Sequence, residues 1–142
     1  MIVDSYRDYA SSREIELTYQ PQDQVEMNFV PDYVNKVFNN LLSNAFKFTP
    51  PHGKISITLW RADDSVYIDL SDTGHGMDPE TVEHAFDPFY QAESESKHIG
   101  TGIGLALVKQ IVQVSKGQIT IESKVGEGTT FHIVVPIIND ET

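Results

Sequence analysis

A glycine-rich stretch in the last third of the chain constrains its fold more than any other feature. The stretch reads IGTGIGLALVK, and its three glycines are Gly100, Gly102 and Gly104. Backbone without Cβ atoms can approach an anion closely, and the free N–H groups and positive dipole end of a following helix favour phosphate. The spacing fits neither a Walker A loop nor the strand-fed Rossmann fingerprint. The stretch therefore predicts a third kind of nucleotide phosphate site, or else a surface loop closed by a helix.

Length and composition limit the chain to one globular domain. Its 142 residues are 39% hydrophobic, which suffices for one buried core and leaves no room for a second domain. No run of about 18 apolar residues and no basic-then-apolar N-terminus occurs, so the sequence predicts neither a membrane span nor a signal peptide. The absence of cysteine excludes a disulfide framework and a thiolate metal site, which fits a cytoplasmic setting.

The charge of the chain argues against one class of partner and sets a condition on another. A formal net charge of −11 argues against nucleic-acid binding, which needs a basic face. The same negative field repels an anionic ligand, so a nucleotide here would need local hydrogen-bond donors, cations and a divalent metal.

Apolar residues recur with two different periods along the chain. Helical spacing predicts helices at residues 1–13 and 31–48, from Asp78 to about Ala85, and after the glycine-rich loop as far as Lys116-Gly117. Strict alternation predicts strands at 15–19, 25–29, 55–59, 66–70, 119–121 and 131–135. These strands should pair two by two as antiparallel neighbours, the last two around a turn that contains Gly126 and Gly128.

The helix at residues 31–48 carries two aligned rows of side chains. Pro31 suits its first turn, and Pro50-Pro51 ends it. The apolar row consists of Val34, Phe38, Leu41, Ala45 and Phe48. Asn40, Asn44 and Lys47 also step by four and three residues, so two amides and an ammonium group share an adjoining face. This face is either a row of ligand-binding groups or a solvated surface.

A carboxylate follows the strand at 66–70. Asp72 begins the run Asp-Thr-Gly-His-Gly-Met, in which Gly74 and Gly76 permit a sharp turn. An ionised Asp only accepts hydrogen bonds, so it could take a proton from the exocyclic amine of adenine and would repel the oxygen of guanine. The alternative is a plain Asp-x-Gly turn.

Aromatic residues precede a polar segment just before the glycine-rich loop. Phe86, Phe89 and Tyr90 should anchor this segment to the core. Residues 91–102 combine Ser, Glu, Lys and Gly with almost no apolar side chain, so they bury too little to offset the cost of ordering. The segment is expected to be mobile without a ligand.

Five motifs follow one another in a fixed order: NNLLSNAFKFTP at 39–50, DTGHGM at 72–77, FDPFYQ at 86–91, GTGIGLALV at 100–108 and GEGTTF at 126–131. In this order they resemble the N, G1, F, G2 and G3 boxes of sensor histidine kinases. The resemblance implies the catalytic and ATP-binding domain of such a kinase, in the GHKL superfamily. It also implies the Bergerat fold, an α/β two-layer sandwich in which a mixed, mostly antiparallel sheet of about five strands packs on about three helices, with a flexible ATP lid.

The resemblance also implies roles for single residues. Asn40, Asn44 and Lys47 would be the catalytic set: Asn44 would bind the Mg²⁺ that bridges the ATP phosphates, and Lys47 the phosphates themselves. Asn40 stands where ATP-hydrolysing relatives tend to carry a glutamate base, and an amide cannot accept a proton from water at neutral pH, so phosphoryl transfer is favoured over hydrolysis. Asp72 would bind the adenine amine. The other nucleotide contacts would be Gly74, Gly76 and Met77 near the base, Phe89 at the lid, Gly100, Thr101, Gly102, Gly104 and Leu105 around the phosphates, and Thr130 near the adenine.

The sequence departs from the family pattern in two places. Val30-Pro31 and Tyr33 stand where Asp-Pro and Arg are common, so the N-box helix lacks a side-chain N-cap, at a cost of about 1 kcal/mol. None of the five histidines, His52, His75, His84, His98 and His132, has an H-box setting, and each is expected on the surface or in a loop. We therefore expect 1–13 to continue from an upstream dimerisation domain, 14–137 to form the catalytic domain and 138–142 to be a polar tail.

The function implied is transfer of the γ-phosphoryl group of Mg-ATP to a histidine on that separate domain. The chain alone should bind ATP without phosphorylating itself. Its partners would be the dimerisation domain and a response-regulator receiver domain of a homodimeric parent. The domain would be cytoplasmic, either in a cytoplasmic kinase or as the cytoplasmic part of a membrane-bound sensor. The isolated fragment should be monomeric and contact neither nucleic acid nor membrane. Alternatives are an anti-sigma serine kinase, an ATP-hydrolysing clamp of the same superfamily, or a degenerate nucleotide-binding module.

Overall fold

The computed structural model describes residues 2–21, 34–87 and 104–136 of the chain. The helices in this part are α1 (Ile2–Ser5), α2 (Arg7–Ser12), α3 (Val34–Phe48), α4 (Pro79–His84) and α5 (Gly104–Val114). The strands are β1 (Glu16–Pro21), β2 (Lys54–Ala62), β3 (Ser65–Asp72), β4 (Gln118–Lys124) and β5 (Gly128–Pro136).

The five strands form one sheet in the order β1-β2-β3-β5-β4. β1 runs parallel to β2, and the other three neighbouring pairs are antiparallel. This arrangement confirms the predicted mixed, mostly antiparallel sheet. It also brings the carboxyl end of β3 beside the start of β5, where Asp72 is paired with Thr129.

Alternation along the strands gives the sheet two different faces. The apolar members of β2, β3 and β5 are buried beneath the helices: Ile55, Ile57, Leu59, Val66, Ile68, Leu70, Phe131, Ile133 and Val135. The intervening side chains, including Trp60 and Tyr67, lie on the opposite face and are only half-buried. The sheet and helices therefore form two layers around a single core, as predicted.

Helix α3 supplies the largest block of the helical layer, but its buried face differs from the predicted stripe. Phe46 is 1% exposed, whereas Phe48, which was predicted in the core, is only half-buried. The reason is that α1 and α2 cover the Phe46 side: the ring of Tyr6 stacks on Phe46 at 5.5 Å, and Tyr9 meets it edge-on at 5.0 Å. Phe48 instead turns towards the loop after β3, where its ring lies 5.0 Å from that of His75.

The N-terminal segment is helical, as predicted, but consists of two short helices that meet at Tyr6. Val3 and Ala10 are buried in the same core as the sheet residues. The second helix ends before Glu14, whose φ of 57° turns the chain into β1.

The predicted ends of the other helices are confirmed. Asp78 Oδ1 accepts a hydrogen bond from the N–H of Thr81 at 2.8 Å, and Pro79 is the first residue of α4. At the end of α5, Lys116 adopts a φ of 65° and the N–H of Gly117 donates to the Val112 carbonyl. β4 and β5 form the predicted hairpin, with Gly126 at a φ of 83° in the turn.

Two of the five histidines lie in regular structure, where both keep partly exposed side chains, in agreement with the prediction of surface or loop positions. His132 is in the middle of β5, and its ring lies between the carboxylates of Asp69 and Glu122. His84 is the last residue of α4. His52 lies in a turn and His75 in a loop, as predicted, and His98 is outside the described residues.

Several predictions concern residues outside the described ranges. They are the strand at 25–29 with its hairpin, the start of the helix at Pro31, the residues Phe89 and Tyr90, the lid at 91–102 with Gly100, Thr101 and Gly102, and the tail at 138–142. Among the helices that are described, none is both long and apolar enough to cross a membrane.

Candidate functional site

Asp72 places a carboxylate inside the protein at the end of β3. Its side chain is 8% exposed, and its Oδ1 accepts a hydrogen bond from the N–H of Gly74 at 2.8 Å. Burial raises the pKa of Asp72, and the N–H groups of Gly74 and Thr129 oppose this effect without cancelling it. The site thus contains a hydrogen-bond acceptor that the fold keeps at an energetic cost, which is common at functional positions.

The loop after Asp72 is wedged between α3 and the β4–β5 hairpin. A Cβ atom on Gly74 would lie 2.5 Å from the Phe48 carbonyl oxygen, and one on Gly76, whose φ is 74°, would collide with the Lys124 carbonyl. The N–H of Gly126 also donates to the His75 carbonyl at 2.7 Å. Only glycine fits both positions, because the loop passes so close to the backbone of α3 and of the hairpin.

A hydroxyl cluster lies next to Asp72, and sequence reasoning missed it. Thr129 is 6% exposed and shares the core face with Asp72, its register partner. Its Oγ1 lies 2.8 Å from Ser123 Oγ, and Ser123 also accepts the N–H of Met77 at 2.8 Å. Alternate residues of a strand share a face, so counting in twos along β4 and β5 from their buried residues could have placed Ser123 and Thr129 on the face of Asp72.

Thr130, the threonine that sequence reasoning assigned to the adenine end, lies on the other face of the sheet. Its Oγ1 forms a hydrogen bond with Ser71 Oγ at 2.8 Å, on the side away from the helices. Successive side chains of a strand point to opposite faces, so a shift of one residue exchanges the two threonines. The structure thus puts Thr129, and not Thr130, beside Asp72.

The polar row of α3 lies along the same site. Asn40 and Asn44 are half-buried, and Asn40 donates through Nδ2 to the Lys36 carbonyl at 2.9 Å. Lys47 is exposed, and its Nζ lies over the Phe48 ring at 5.6 Å from the centroid. A groove lies between α3 and the N-terminal helices α1 and α2, and Lys47 is one of the residues that line it. Lys47 therefore lies between this groove and the two amides.

The start of α5 meets α3 at Asn40. A Cβ atom on Gly104 would lie 3.3 Å from Asn40 Oδ1, so the first residue of α5 is in close proximity to the polar row. Leu105 is partly buried and packs against the core. The helix has 11 residues, enough for its dipole and its free N–H groups to favour an anion at this end.

Phe86 links α4 to α5. Its ring is partly buried against the core, and Lys109 Nζ lies 4.8 Å from the ring centroid. Phe86 thus connects the residues after α4 to α5 and the core.

These elements define an elongated site. Along α3 the distance from Asn40 to Phe48 is about 12 Å, at 1.5 Å per residue. One end holds the buried acceptor Asp72 beside Gly74, and the other holds Asn40 against the start of α5. The site suits a ligand with an amine at one end and an anionic group at the other.

A hard divalent cation also fits this donor set. The part of the chain that is described contains no cluster of three or more His, Cys, Asp or Glu residues that could hold a metal by itself. Mg²⁺ usually takes few protein ligands and completes its coordination with water and substrate phosphates. The half-buried amide of Asn44, between the two ends of the site, provides one oxygen of the kind Mg²⁺ prefers.

A two-layer α/β sandwich with a buried carboxylate at the end of a strand and a helix amino terminus across from it defines a nucleotide-binding domain of the ATPase and kinase class. Residues 29–139 match the family model described as "Histidine kinase-, DNA gyrase B-, and HSP90-like ATPase". The chain therefore belongs to this family.

The similar curated proteins are histidine kinases. The chain is 41% identical over 108 residues to the circadian input-output histidine kinase CikA of Synechococcus elongatus, a match that covers 75% of the chain and 14% of CikA. It is 36% identical over 130 residues to the adaptive-response sensory kinase SasA of the same organism, which covers 91% of the chain and 34% of SasA. The chain thus spans about a third or less of the length of these relatives.

Among solved structures, full-length ShkA in complex with AMPPNP superposes with a TM-score of 0.83 at 23% identity, covering 99% of this chain and 29% of ShkA. At this identity the match supports the fold alone. Together with the family match and the relatives, it confirms the resemblance to the catalytic domain of sensor histidine kinases, and the serine-kinase and clamp alternatives are not favoured.

Proposed function

We propose that this domain binds Mg-ATP and transfers its γ-phosphoryl group to a histidine on a separate dimerisation domain of the parent kinase. The observation that carries the proposal is the buried carboxylate of Asp72 at the end of β3. It lies next to a loop in which positions 74 and 76 accept only glycine. An acceptor kept in the core at an energetic cost suits a ligand that supplies a donor, and the adenine amine is such a group.

The adenine end of the site consists of the groups around Asp72. The carboxylate accepts from the exocyclic amine, and the backbone of Gly74 and Gly76 passes close to the base. Thr129 takes the place at this end that the sequence suggested for Thr130. Met77 follows the loop and is partly buried beside it.

The phosphate end of the site consists of α3 and the start of α5. Asn44 holds Mg²⁺, which when bound offsets the charge of the phosphates. Lys47 contributes a local cation in a chain of net charge −11. Gly104 and Leu105 open the helix whose N-terminal N–H groups bind phosphate oxygens, together with Gly100, Thr101 and Gly102. Phe89 belongs to the lid that Phe86 fastens to the core.

Phosphoryl transfer to a protein acceptor is favoured over hydrolysis because of Asn40. Its amide donates to the Lys36 carbonyl and has no basic atom with which to take a proton from water. Positioning and electrostatic stabilisation then carry the reaction, as in phosphoryl transfer generally.

The acceptor and the downstream partner belong to the rest of a two-component system. The relatives are named kinases of which this chain spans 14% and 34%. We place residues 14–137 as the catalytic domain, 1–13 as the connection to the histidine-bearing domain and 138–142 as a tail. The parent is a homodimer in which this domain is cytoplasmic, either in a cytoplasmic kinase or as the cytoplasmic part of a membrane-bound sensor. Its phosphoryl group is passed to a receiver domain, and the isolated fragment is a monomer.

The test is phosphoryl transfer in trans. Incubated alone with γ-labelled ATP and Mg²⁺, the chain should acquire no acid-labile label, because none of its histidines has the setting of a phosphoacceptor. Addition of the histidine-bearing dimerisation domain of the parent should produce label on that domain. The same domain with its acceptor histidine changed to glutamine is the matched control.

Two results would contradict the proposal. Stoichiometric acid-labile label on the chain alone would place the acceptor within it. Steady release of inorganic phosphate without any transfer would identify an ATP-hydrolysing domain of the same family.

A further inference from the structure

The hydroxyl of Ser123 joins three parts of the adenine end. It accepts the N–H of Met77 at 2.8 Å, donates to the Gly128 carbonyl at 3.0 Å and lies 2.8 Å from Thr129 Oγ1. Ser123 stands on β4 directly opposite Thr129 in the register of the sheet. These contacts tie the glycine loop after β3 to the β4–β5 hairpin.

The directions of these hydrogen bonds follow from a count of protons. A serine hydroxyl has one proton to donate and two lone pairs that accept. An amide N–H can only donate, so the N–H of Met77 uses one lone pair of the Ser123 hydroxyl. A carbonyl can only accept, so the Gly128 carbonyl takes the proton of that hydroxyl. All three contacts are satisfied at the same time only when Thr129 donates its own proton to the second lone pair of Ser123.

The consequence is that Thr129 has no proton left for a ligand. Its oxygen retains only acceptor capacity, and it stands in register with Asp72, whose carboxylate is also an acceptor. Both side chains are nine-tenths or more buried on the same face of the sheet. The adenine end thus presents two neighbouring acceptors.

We propose that Ser123 is a positioning residue that fixes Thr129 as a hydrogen-bond acceptor, so that the site selects an exocyclic amine and rejects a carbonyl at the same place on the purine. The inference rests on the proposed nucleotide function and deepens it. Without the Ser123 hydroxyl, the Thr129 hydroxyl can rotate and donate to a carbonyl oxygen. Discrimination between amine and carbonyl should then weaken.

The experiment compares ADP with inosine diphosphate, which carries a carbonyl in place of the amine. Calorimetric titration in the presence of Mg²⁺ gives the ratio of the two dissociation constants for each protein. The wild-type chain should prefer ADP. Ser123→Ala should reduce that preference about tenfold, equivalent to about 1.4 kcal/mol. Ser123→Thr, which retains the hydroxyl, should keep it.

The chain offers a matched control on the neighbouring pair of strands, β3 and β5. Ser71 and Thr130 form a hydroxyl–hydroxyl contact of the same 2.8 Å length one register position away, on the opposite face of the sheet. Ser71→Ala should therefore lower the melting temperature as Ser123→Ala does, yet leave the ADP preference unchanged. A purely structural role of Ser123 would weaken both nucleotides equally.

A second variant keeps the inference testable if Ser123→Ala does not fold. Thr129→Val removes the acceptor itself and should also reduce the preference for ADP. If the wild-type chain prefers ADP but both Ser123→Ala and Thr129→Val retain that preference, the inference is wrong while the proposed function stands. If the wild-type chain binds neither nucleotide, both fail.

Discussion

Asp72 is a buried carboxylate that the folded domain retains at an energetic cost. Burial raises the pKa of its carboxyl, which means that the folded state disfavours the charged form. The N–H groups of Gly74 and Thr129 compensate only in part. A ligand amine would complete the hydrogen bonding of the charged form and so offset part of this cost. A ligand without a donor at that place would not, which favours the amine.

Asp72→Asn should separate affinity from stability. Replacing the charged acceptor by a neutral one weakens a charge-assisted hydrogen bond worth about 1.5–3 kcal/mol, so the dissociation constant of ADP should rise, by roughly 10- to 150-fold if the bond is lost altogether. The melting temperature should stay the same or rise at neutral pH, because a disfavoured buried charge is gone and an amide oxygen still accepts from Gly74. Calorimetry and thermal unfolding would measure the two effects. A parallel loss of stability and affinity would mean that Asp72 is a structural residue.

The two threonines of β5 show what sequence reasoning could and could not reach. The five motifs predicted Asp72, the polar row on α3 and the glycine positions without any structure. They pointed to Thr130, whereas Thr129 is the threonine beside Asp72, because the choice between adjacent residues depends on the strand register set by pairing with β3. Ser123 was missed because its role depends on three partners brought together by a hairpin and a loop.

Helix α3 has two adjacent faces with different tasks. Phe46 packs beneath Tyr6 and Tyr9 on the N-terminal side, while Phe48 leans on His75 at the loop after β3. The spacing of apolar residues predicted the helix and its polar row, but it wrongly placed Phe48 in the core. Local spacing does not show that α1 and α2 cover the side of the helix that carries Phe46. The helix thereby connects the N-terminal segment with the nucleotide site.

A pair of substitutions on α3 should separate these tasks. Phe46→Ala removes a ring that is 1% exposed and should lower the free energy of unfolding by about 3–5 kcal/mol. Phe48→Ala removes a half-buried ring and should cost clearly less stability, yet weaken ADP binding, because this ring supports His75 and Lys47 at the site. Urea unfolding and ADP titration would measure both. Equal destabilisation with unchanged affinity in Phe48→Ala would contradict this division.

At the scale of the whole domain, one cluster of charged side chains connects three strands of the sheet. On the face away from the helices, His132 lies between Asp69 on β3 and Glu122 on β4, with Nδ1 at 2.7 Å from Asp69 and Nε2 at 3.4 Å from Glu122. Burial alone would lower the pKa of His132, but the two carboxylates outweigh it and raise the pKa. The protonated ring thus bridges three neighbouring strands.

The stability of the domain should therefore depend on pH through His132. Since its pKa is higher in the folded than in the unfolded chain, its stabilising contribution is complete below the unfolded value of about 6.5 and is lost as the pH rises through the folded value. The difference in melting temperature between the wild type and His132→Gln should thus be larger at pH 6 than at pH 8. His84→Gln is the matched control: its Nδ1 lies at the same 2.7 Å from Asp87, but the pair is exposed and screened by solvent, so its effect should be small at both pH values. A difference for His132→Gln that grows towards pH 8 would show that the ring is stabilising in its neutral form.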